Sequence, residues 1–414
     1  MPRFQIGHPA PDAMLACALS PLGAPTEVGS SAAHALQTLL VPQASEQQTA
    51  ASGRCTSREP QLGANSGLTA AEMAKANSTA LPPLLFVKTH KTGSGTLANI
   101  LHRMGDWRNL TFMLPDWGHP GSAWEQITPF PYGTEPTQET PYKEHAYDII
   151  ANHAVYDLPR MSNYLRESPV PFVFTILRTP LTQAVSAYGY FWGNEEKDWE
   201  VHLNKLETTQ MNEPYTFQKY VNSQAADLGW YLQHNGSKAN DQDDAVIDAW
   251  IESLEPQLGL VMMLERFDEG LVLLRRRLGV PLRELTYLNV SITGFNTGGS
   301  GNVPPLTDNQ TARLLRLNHV DERLHTHFAA AFEREWDSPE DGGRTGREQE
   351  LQELQAMNAE LAQTCESTPD ACPGALKMSE VEYTQFLQRK CGYHRASSLQ
   401  MLLQTPLGLN EDAD

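Results

Sequence analysis

One stretch of the chain carries most of the chemistry that side chains alone reveal: Lys88-Thr89-His90-Lys91-Thr92-Gly93-Ser94-Gly95-Thr96. It follows the apolar run Leu84-Leu85-Phe86-Val87 and precedes Leu97-Ala98-Asn99-Ile100-Leu101, whose apolar spacing is helical. Strand, small-residue loop and helix in that order make an anion site. The first N–H groups of a helix lack intrahelical acceptors, and its dipole favours negative charge there. Gly93 and Gly95 let the main chain approach a phosphate, and Lys91 can neutralise an oxygen that gains charge as a group departs. An ATP- or GTP-binding loop places Lys-Ser/Thr after its glycines, directly entering the helix, whereas Lys91 precedes them. That nucleotide reading and a purely structural Gly/Thr turn remain as alternatives.

A second group is Ile176-Leu177-Arg178-Thr179-Pro180, with Ser186 eight residues beyond Arg178. Pro180 suits the first turn of a helix, which puts Ser186 about two turns in. If strand end and helix face share one pocket, Arg178 and Ser186 can hold a second phosphate; a surface Arg and a solvent-facing Ser are the bland alternative. Histidine suits proton transfer near neutral pH, and His153, after Asn152 at another strand end, is the candidate base among 13 histidines. A histidine satisfied by backbone hydrogen bonds competes with that role. His90 contacts phosphate or shapes the loop. Glu265 and Asp268 can orient a base or bind sugar hydroxyls, and Asp268 can equally cap a helix. Trp107, Trp117, Tyr188, Tyr190 and Trp192 can stack on a sugar or fill the core.

Four short apolar runs position these groups: Leu84 to Val87, Tyr147 to Ala151, Phe172 to Leu177 and Leu258 to Leu264. Each delivers polar residues at its C-terminal end, where open parallel sheets bind ligands, so an α/β domain with a central, mostly parallel sheet flanked by helices is expected. Helices are expected over Glu269 to Leu278, over Asp308 to Trp336 as one long helix or a pair, and over Glu348 to Gln363 after a polar break at 337–346. Residues 1–80, rich in Ala, Ser, Pro, Gly and Gln, read as a weakly ordered lead-in. The expected division is this lead-in, a domain over 81–336 and a helical, polar extension over 337–414.

Charge argues about partners. With 31 Lys+Arg against 50 Asp+Glu, the net charge of −19 repels polyanions, so nucleic acid is not expected and a neutral acceptor is favoured. Five cysteines show no zinc-type spacing; Cys365 can pair with Cys372 or Cys391, or the thiols stay free. Asn77, Asn109, Asn235, Asn289 and Asn309 begin glycosylation sequons. The best N-terminal apolar run, Ala13 to Leu19, falls far short of the roughly 20 residues that cross a bilayer.

The run from Phe86 to Thr96, continuing through Asn99-Ile100-Leu101 and Asn109-Leu110-Thr111-Phe112, resembles the galactose-3-O-sulfotransferase family, which includes galactosylceramide sulfotransferase. Asn152-His153, the Arg178 block with Ser186 and Tyr190, Asp227-Leu228-Gly229, and Glu265-Arg266-Phe267-Asp268-Glu269 with Leu271 resemble its later blocks. The resemblance covers about residues 84–336. It implies a P-loop-like sulfotransferase fold and a donor, 3′-phosphoadenosine 5′-phosphosulfate, whose phosphosulfate is gripped by His90, Lys91, Thr92, Gly93, Ser94, Gly95 and Thr96. It further implies that Arg178 and Ser186 hold the 3′-phosphate, that Lys91 and His153 are catalytic, and that the enzyme needs no metal. The implied acceptor is a galactose-containing glycolipid or glycan and the implied location the Golgi lumen or membrane. Membrane association would then need an N-terminal anchor, which the family usually carries. Two departures stand out: Val155 where an Arg is expected after Asn-His, and Gly95 where Ser is more usual.

Overall fold

The computed structural model describes residues 81–114, 145–191, 198–208, 220–234, 237–288, 303–370 and 372–390. Four strands, β1 (Leu84–Val87), β2 (Ile149–Ile150), β3 (Phe172–Leu177) and β4 (Leu260–Met263), form one sheet in the order β2-β1-β3-β4, with every pair parallel. All four residues of β1 and of β4 are buried. Successive strand residues face opposite sides, so both sides of the sheet are covered, and this is why the strands read as unbroken apolar runs. β2 is shorter than the apolar run around it. It lies at the sheet edge, where Tyr147 makes only an isolated bridge to Leu165 and the Asp148 carboxylate accepts from Thr111 N at 2.7 Å.

The helices are α1 (Ser94–Trp107), α2 (Leu158–Ser162), α3 (Pro180–Phe191), α4 (Trp199–Thr208), α5 (Ser223–Asp227), α6 (Trp230–Gln233), α7 (Asp244–Leu254) and α8 (Phe267–Leu278). They continue with α9 (Asp308–Leu317), α10 (His319–Asp337), α11 (Gly343–Ser367), α12 (Gly374–Lys377) and α13 (Glu380–Lys390). The region from Asp308 to Trp336 is a pair, divided at Asn318, with a reciprocal Thr307/Gln310 capping box starting α9. Much of the polar stretch expected as a break is helical: α11 begins at Gly343 and runs to Ser367, with Arg347 buried and donating to the carbonyls of Trp336 and Ser338. Cys365 and Cys372 are joined in a disulfide that closes the turn from α11 to α12. Among the described residues no helix is long and apolar enough to cross a membrane. Residues 1–80, expected to be weakly ordered, lie outside the described residues, as do Cys391 and the sequons at Asn77, Asn235 and Asn289. Asn109 and Asn309 are exposed.

This strand order creates the crevice. From β1 the chain leaves toward β2 on one side, and from β3 it leaves toward β4 on the other. The loops after β1 and β3 therefore diverge above two adjacent strands, the switch point at which parallel sheets bind ligands. Val87, the last residue of β1, lies opposite Thr175, two residues before the end of β3, so both loops emerge at the same end of the sheet.

Candidate active site

The loop after β1 is pinned from beneath by its own hydroxyls. Thr89 Oγ1 donates to Ile176 O on β3 at 2.5 Å and lies 2.7 Å from Thr92 Oγ1, while Ser94 Oγ donates to Thr89 O at 2.6 Å. Thr92 and Ser94 are buried, so these side chains shape the loop, and what they offer an anion is main-chain N–H. Lys91 adopts φ 60° and Gly93 φ 76°, both left-handed. At Gly93 a Cβ would also meet Leu264 Cδ1 at 2.5 Å, which leaves glycine as the residue that fits. Ser94, Gly95 and Thr96 open α1; Thr96 N already donates to Gly93 O at 3.0 Å, which closes the first turn.

The loop after β3 meets the first one directly. Arg178 Nη1 donates to Lys91 O at 3.1 Å, and its Nε donates to Thr182 Oγ1 at 3.0 Å. Its backbone is bracketed by Gln224 of α5, which accepts from Arg178 N at 2.7 Å and donates to Arg178 O at 2.9 Å. Glu265, after β4, accepts from both Thr179 N at 2.8 Å and Thr179 Oγ1 at 2.6 Å. Burial alone would raise the Glu265 carboxyl, but donors from His325 and Thr179 outweigh it and hold the group at about 2. Asp268 lies elsewhere in function: it accepts from Tyr287 Oη at 2.8 Å and ties α8 to the segment before α9.

Pro180 begins α3, as its ring requires of an early helix position. Thr182, Ser186 and Tyr190 then fall four residues apart and form one row along the helix. Arg178 is bonded to the first of them, and Lys91 Nζ stands 3.7 Å from the centroid of the third ring. Half-buried Ser186 falls between Thr182 and Tyr190 along the row. Tyr188, by contrast, is fully buried and stacked on Trp199 at 4.0 Å, so it is core. Trp107 packs with Arg103, whose guanidinium lies 5.5 Å from its ring, whereas Trp117 and Trp192 lie outside the described residues.

Two histidines complete the pocket, stacked with centroids 4.1 Å apart. Asp227, the last residue of α5, grips His90 twice, accepting from its backbone N at 2.7 Å and lying 2.8 Å from its ring Nδ1. A carboxylate at Nδ1 selects the tautomer protonated there and leaves the lone pair on Nε2. At His153 the situation is reversed, because Lys88 Nζ lies 2.7 Å from Nε2 and donates to it. Lys88 itself is buried and pairs with Glu380 at 2.8 Å.

The cations set the electrostatics. Burial, then Arg178 and Lys88, pull the Lys91 ammonium down from 10.5 to about 8. Burial also lowers Arg178, against the pull of Glu265. An acidic protein thus concentrates Lys88, Lys91 and Arg178 at one crevice beside a helix N-terminus. This residue set fits a ligand with two anionic ends: N–H groups and Lys91 for one, Arg178 and Ser186 for the other. Among the described residues no cluster of three or more His, Cys, Asp or Glu side chains has a metal-binding arrangement.

Of the residues singled out from sequence, Lys91 and Arg178 meet through a hydrogen bond and His90 and His153 stack beside them, whereas Asp268, Tyr188 and Trp107 are engaged elsewhere. Sequence reasoning missed the partners that position them, namely Asp227, Gln224, Lys88 and Glu380. The Asp227-Leu228-Gly229 block was noticed without a role; Gly229, at φ 90° with Tyr156 O 2.7 Å from its Cβ position, was the available signal of a tightly packed turn.

A parallel α/β sheet with an anion loop after one central strand and an arginine after its neighbour defines a P-loop-like sulfotransferase fold. The family model for galactose-3-O-sulfotransferase matches residues 31–397, and the chain belongs to that family. It is 29% identical over 291 residues to the galactose-3-O-sulfotransferase 2 of Sus scrofa, covering 69% of each chain. It is 27% identical over 259 residues to the Mus musculus protein of the same name, covering 60% of this chain and 61% of that one. To the galactosylceramide sulfotransferase of Mus musculus it is 27% identical over 295 residues, 68% of this chain and 63% of the relative.

Proposed function

We propose that this protein transfers a sulfonate from 3′-phosphoadenosine 5′-phosphosulfate to a hydroxyl of a galactose residue, the 3-hydroxyl, on a glycolipid or glycan. The observation that carries this reading is the junction of the two loops, where Arg178 Nη1 donates to Lys91 O. One nucleotide can then be held at its phosphosulfate by the N–H groups of residues 91–95 and Lys91, and at its 3′-phosphate by Arg178 and Ser186. The acceptor oxygen bonds to sulfur as the sulfur–oxygen bond to the nucleotide phosphate breaks. Lys91 offsets the charge that develops on the leaving oxygen, so the products are a sulfate ester and adenosine 3′,5′-bisphosphate.

The proton of the acceptor hydroxyl goes to a histidine. Sequence alone favoured His153, yet its Nε2 accepts from Lys88, whereas the Asp227 carboxylate orients His90 with its lone pair on Nε2. His90 is therefore the base in this reading, and His153 stacks behind it and steadies its ring. The Cys365–Cys372 disulfide supports an oxidising compartment, in keeping with a Golgi lumen.

The test is transfer of radiolabelled sulfate from the donor to a panel of galactosylceramide, lactose-terminated glycans and galactose-free controls. Label on galactose at its 3-position is expected; label on none of them, with sugar still bound, makes the protein a glycan-binding relative. Retention on immobilised adenosine 3′,5′-bisphosphate in chelator is expected. Retention only on ATP with magnesium would turn the reading to a nucleotide kinase.

A further inference from the structure

The last described helix, α13, is fastened along α1, the helix that the anion loop opens. At one end Asn99 Nδ2 donates to Met378 O at 2.9 Å; at the other Lys390 pairs with Asp106, and Tyr383 Oη donates to Asp106 at 3.3 Å. The start of α13 is set by a reciprocal box in which Ser379 N donates to Glu382 Oε2 at 2.7 Å and Glu382 N to Ser379 Oγ at 3.3 Å. That fixes Glu380, whose side chain is 11% exposed, with Oε2 2.8 Å from Lys88 Nζ. The same Oε2 lies 3.3 Å from the Cβ position of Gly95, so the missing side chain at that residue is the space the carboxylate enters.

We propose that α13 is part of the donor site: Glu380 is a positioning residue that holds Lys88 against His153 and offsets its charge, so that a helix from the C-terminal region sets the potential at Lys91. This inference rests on the reading of Lys91 given above. The charged and titratable groups facing the pair are His90 and Lys91 on the loop, His102 on α1, His153 after β2 and Arg178 after β3, with Asp227 behind His90. Lys88 acts at a distance on two of them: after burial it is a cause of the lowering of His102, to about 3, and it also contributes to the lowering of Lys91. With Glu380 neutralised, the Lys88 cation loses the carboxylate that offsets it.

Glu380→Gln and Lys88→Met, each checked for folding by thermal unfolding, test this in opposite directions. Glu380→Gln is expected to lower the pH of the alkaline limb of kcat/KM by about half a unit and to bind adenosine 3′,5′-bisphosphate several-fold more tightly. Lys88→Met is expected to raise that limb and weaken the same binding. A folded Glu380→Gln protein with an unmoved limb and unchanged affinity overturns the proposal, and so do two variants that move the same way. If Glu380→Gln does not fold, Lys88→Met decides alone, and an unmoved limb and affinity there overturn the proposal. Loss of all transfer in the unaltered protein would instead count against the reaction itself, since the bisphosphate affinities are measured without turnover.

Discussion

Two regions of this protein gather histidines, cations and carboxylates, and they are built oppositely. Along the groove between α7 and α10, each basic side chain meets an acid: His319 meets Asp244 at 2.7 Å, Arg323 meets Asp248 at 2.5 Å and Asp244 at 3.1 Å, and His327 meets Glu255 at 3.0 Å. These pairs are substantially exposed, and water and salt screen them. At the mouths of β1 and β3, Lys88, Lys91 and Arg178 converge, and Glu380 is the carboxylate that pairs with one of them. Two of these cations are pulled below their usual values, Lys91 by burial and then by the like charges of Arg178 and Lys88, and Arg178 by burial against the pull of Glu265. Charge that is matched pair by pair holds helices together. Where cations outnumber the carboxylates that face them, burial disfavours their charged forms, and such a cluster is a candidate anion site.

The difference can be broken most forcefully at Lys91. Lys91→Ala should lower kcat about 10³-fold with the thermal unfolding midpoint kept, measured by sulfate transfer at saturating donor. His90→Ala should lower kcat about 10²- to 10⁴-fold, and Asp227→Asn should follow it in the same direction; a normal rate in His90→Ala would return the proton to His153. Arg178→Ala should raise the donor KM about 10- to 100-fold and Ser186→Ala about 2- to 10-fold, with smaller changes in kcat.

The pH profile sharpens the same contrast. As pH rises through about 8 the free enzyme loses the Lys91 proton, so kcat/KM should fall on the alkaline side. Because Arg178 is one of the groups that lower Lys91, residual activity of Arg178→Ala should persist to higher pH. The smallest effect belongs to the paired groove: Arg323→Ala should leave transfer within about twofold of the unaltered protein, and a large loss there would show that pairing does not separate scaffold from site.

Much of this contrast was visible in the residues before any fold was known. Leu84 to Val87 and Phe172 to Leu177 are strands of the length the apolar runs foretold, and Pro180 and Gly93 mark helix starts that local sterics demand. The loop after β1 was legible because main-chain N–H groups and glycines depend on neighbours in sequence. Less was legible near the edge strand and the C-terminal region. β2 is reduced to Ile149–Ile150, flanked by β1 and by a single bridge from Phe112, and the polar run from Gly343 is helix, with Arg347 donating to the carbonyl of Ser338. The inward turn of the Thr92 and Ser94 hydroxyls onto Thr89, which itself bonds β3 through Ile176 O, was not legible in the sequence.

By itself the sequence determined the local pieces: which residues extend, which turn with small side chains, and that a lysine and an arginine each stand at a strand end. Hydrogen-bond geometry, β-branching and glycine freedom act over a few residues, so these properties need no knowledge of the rest of the chain. Only the tertiary structure decided who meets whom, placing Arg178 on Lys91, Asp227 behind His90, Lys88 on His153 and Glu380 from α13 beside Gly95. Those meetings join residues up to 292 positions apart, as Lys88 and Glu380 are in the numbering. They are fixed by which strands are adjacent and which helices pack, and no periodicity along the chain encodes that.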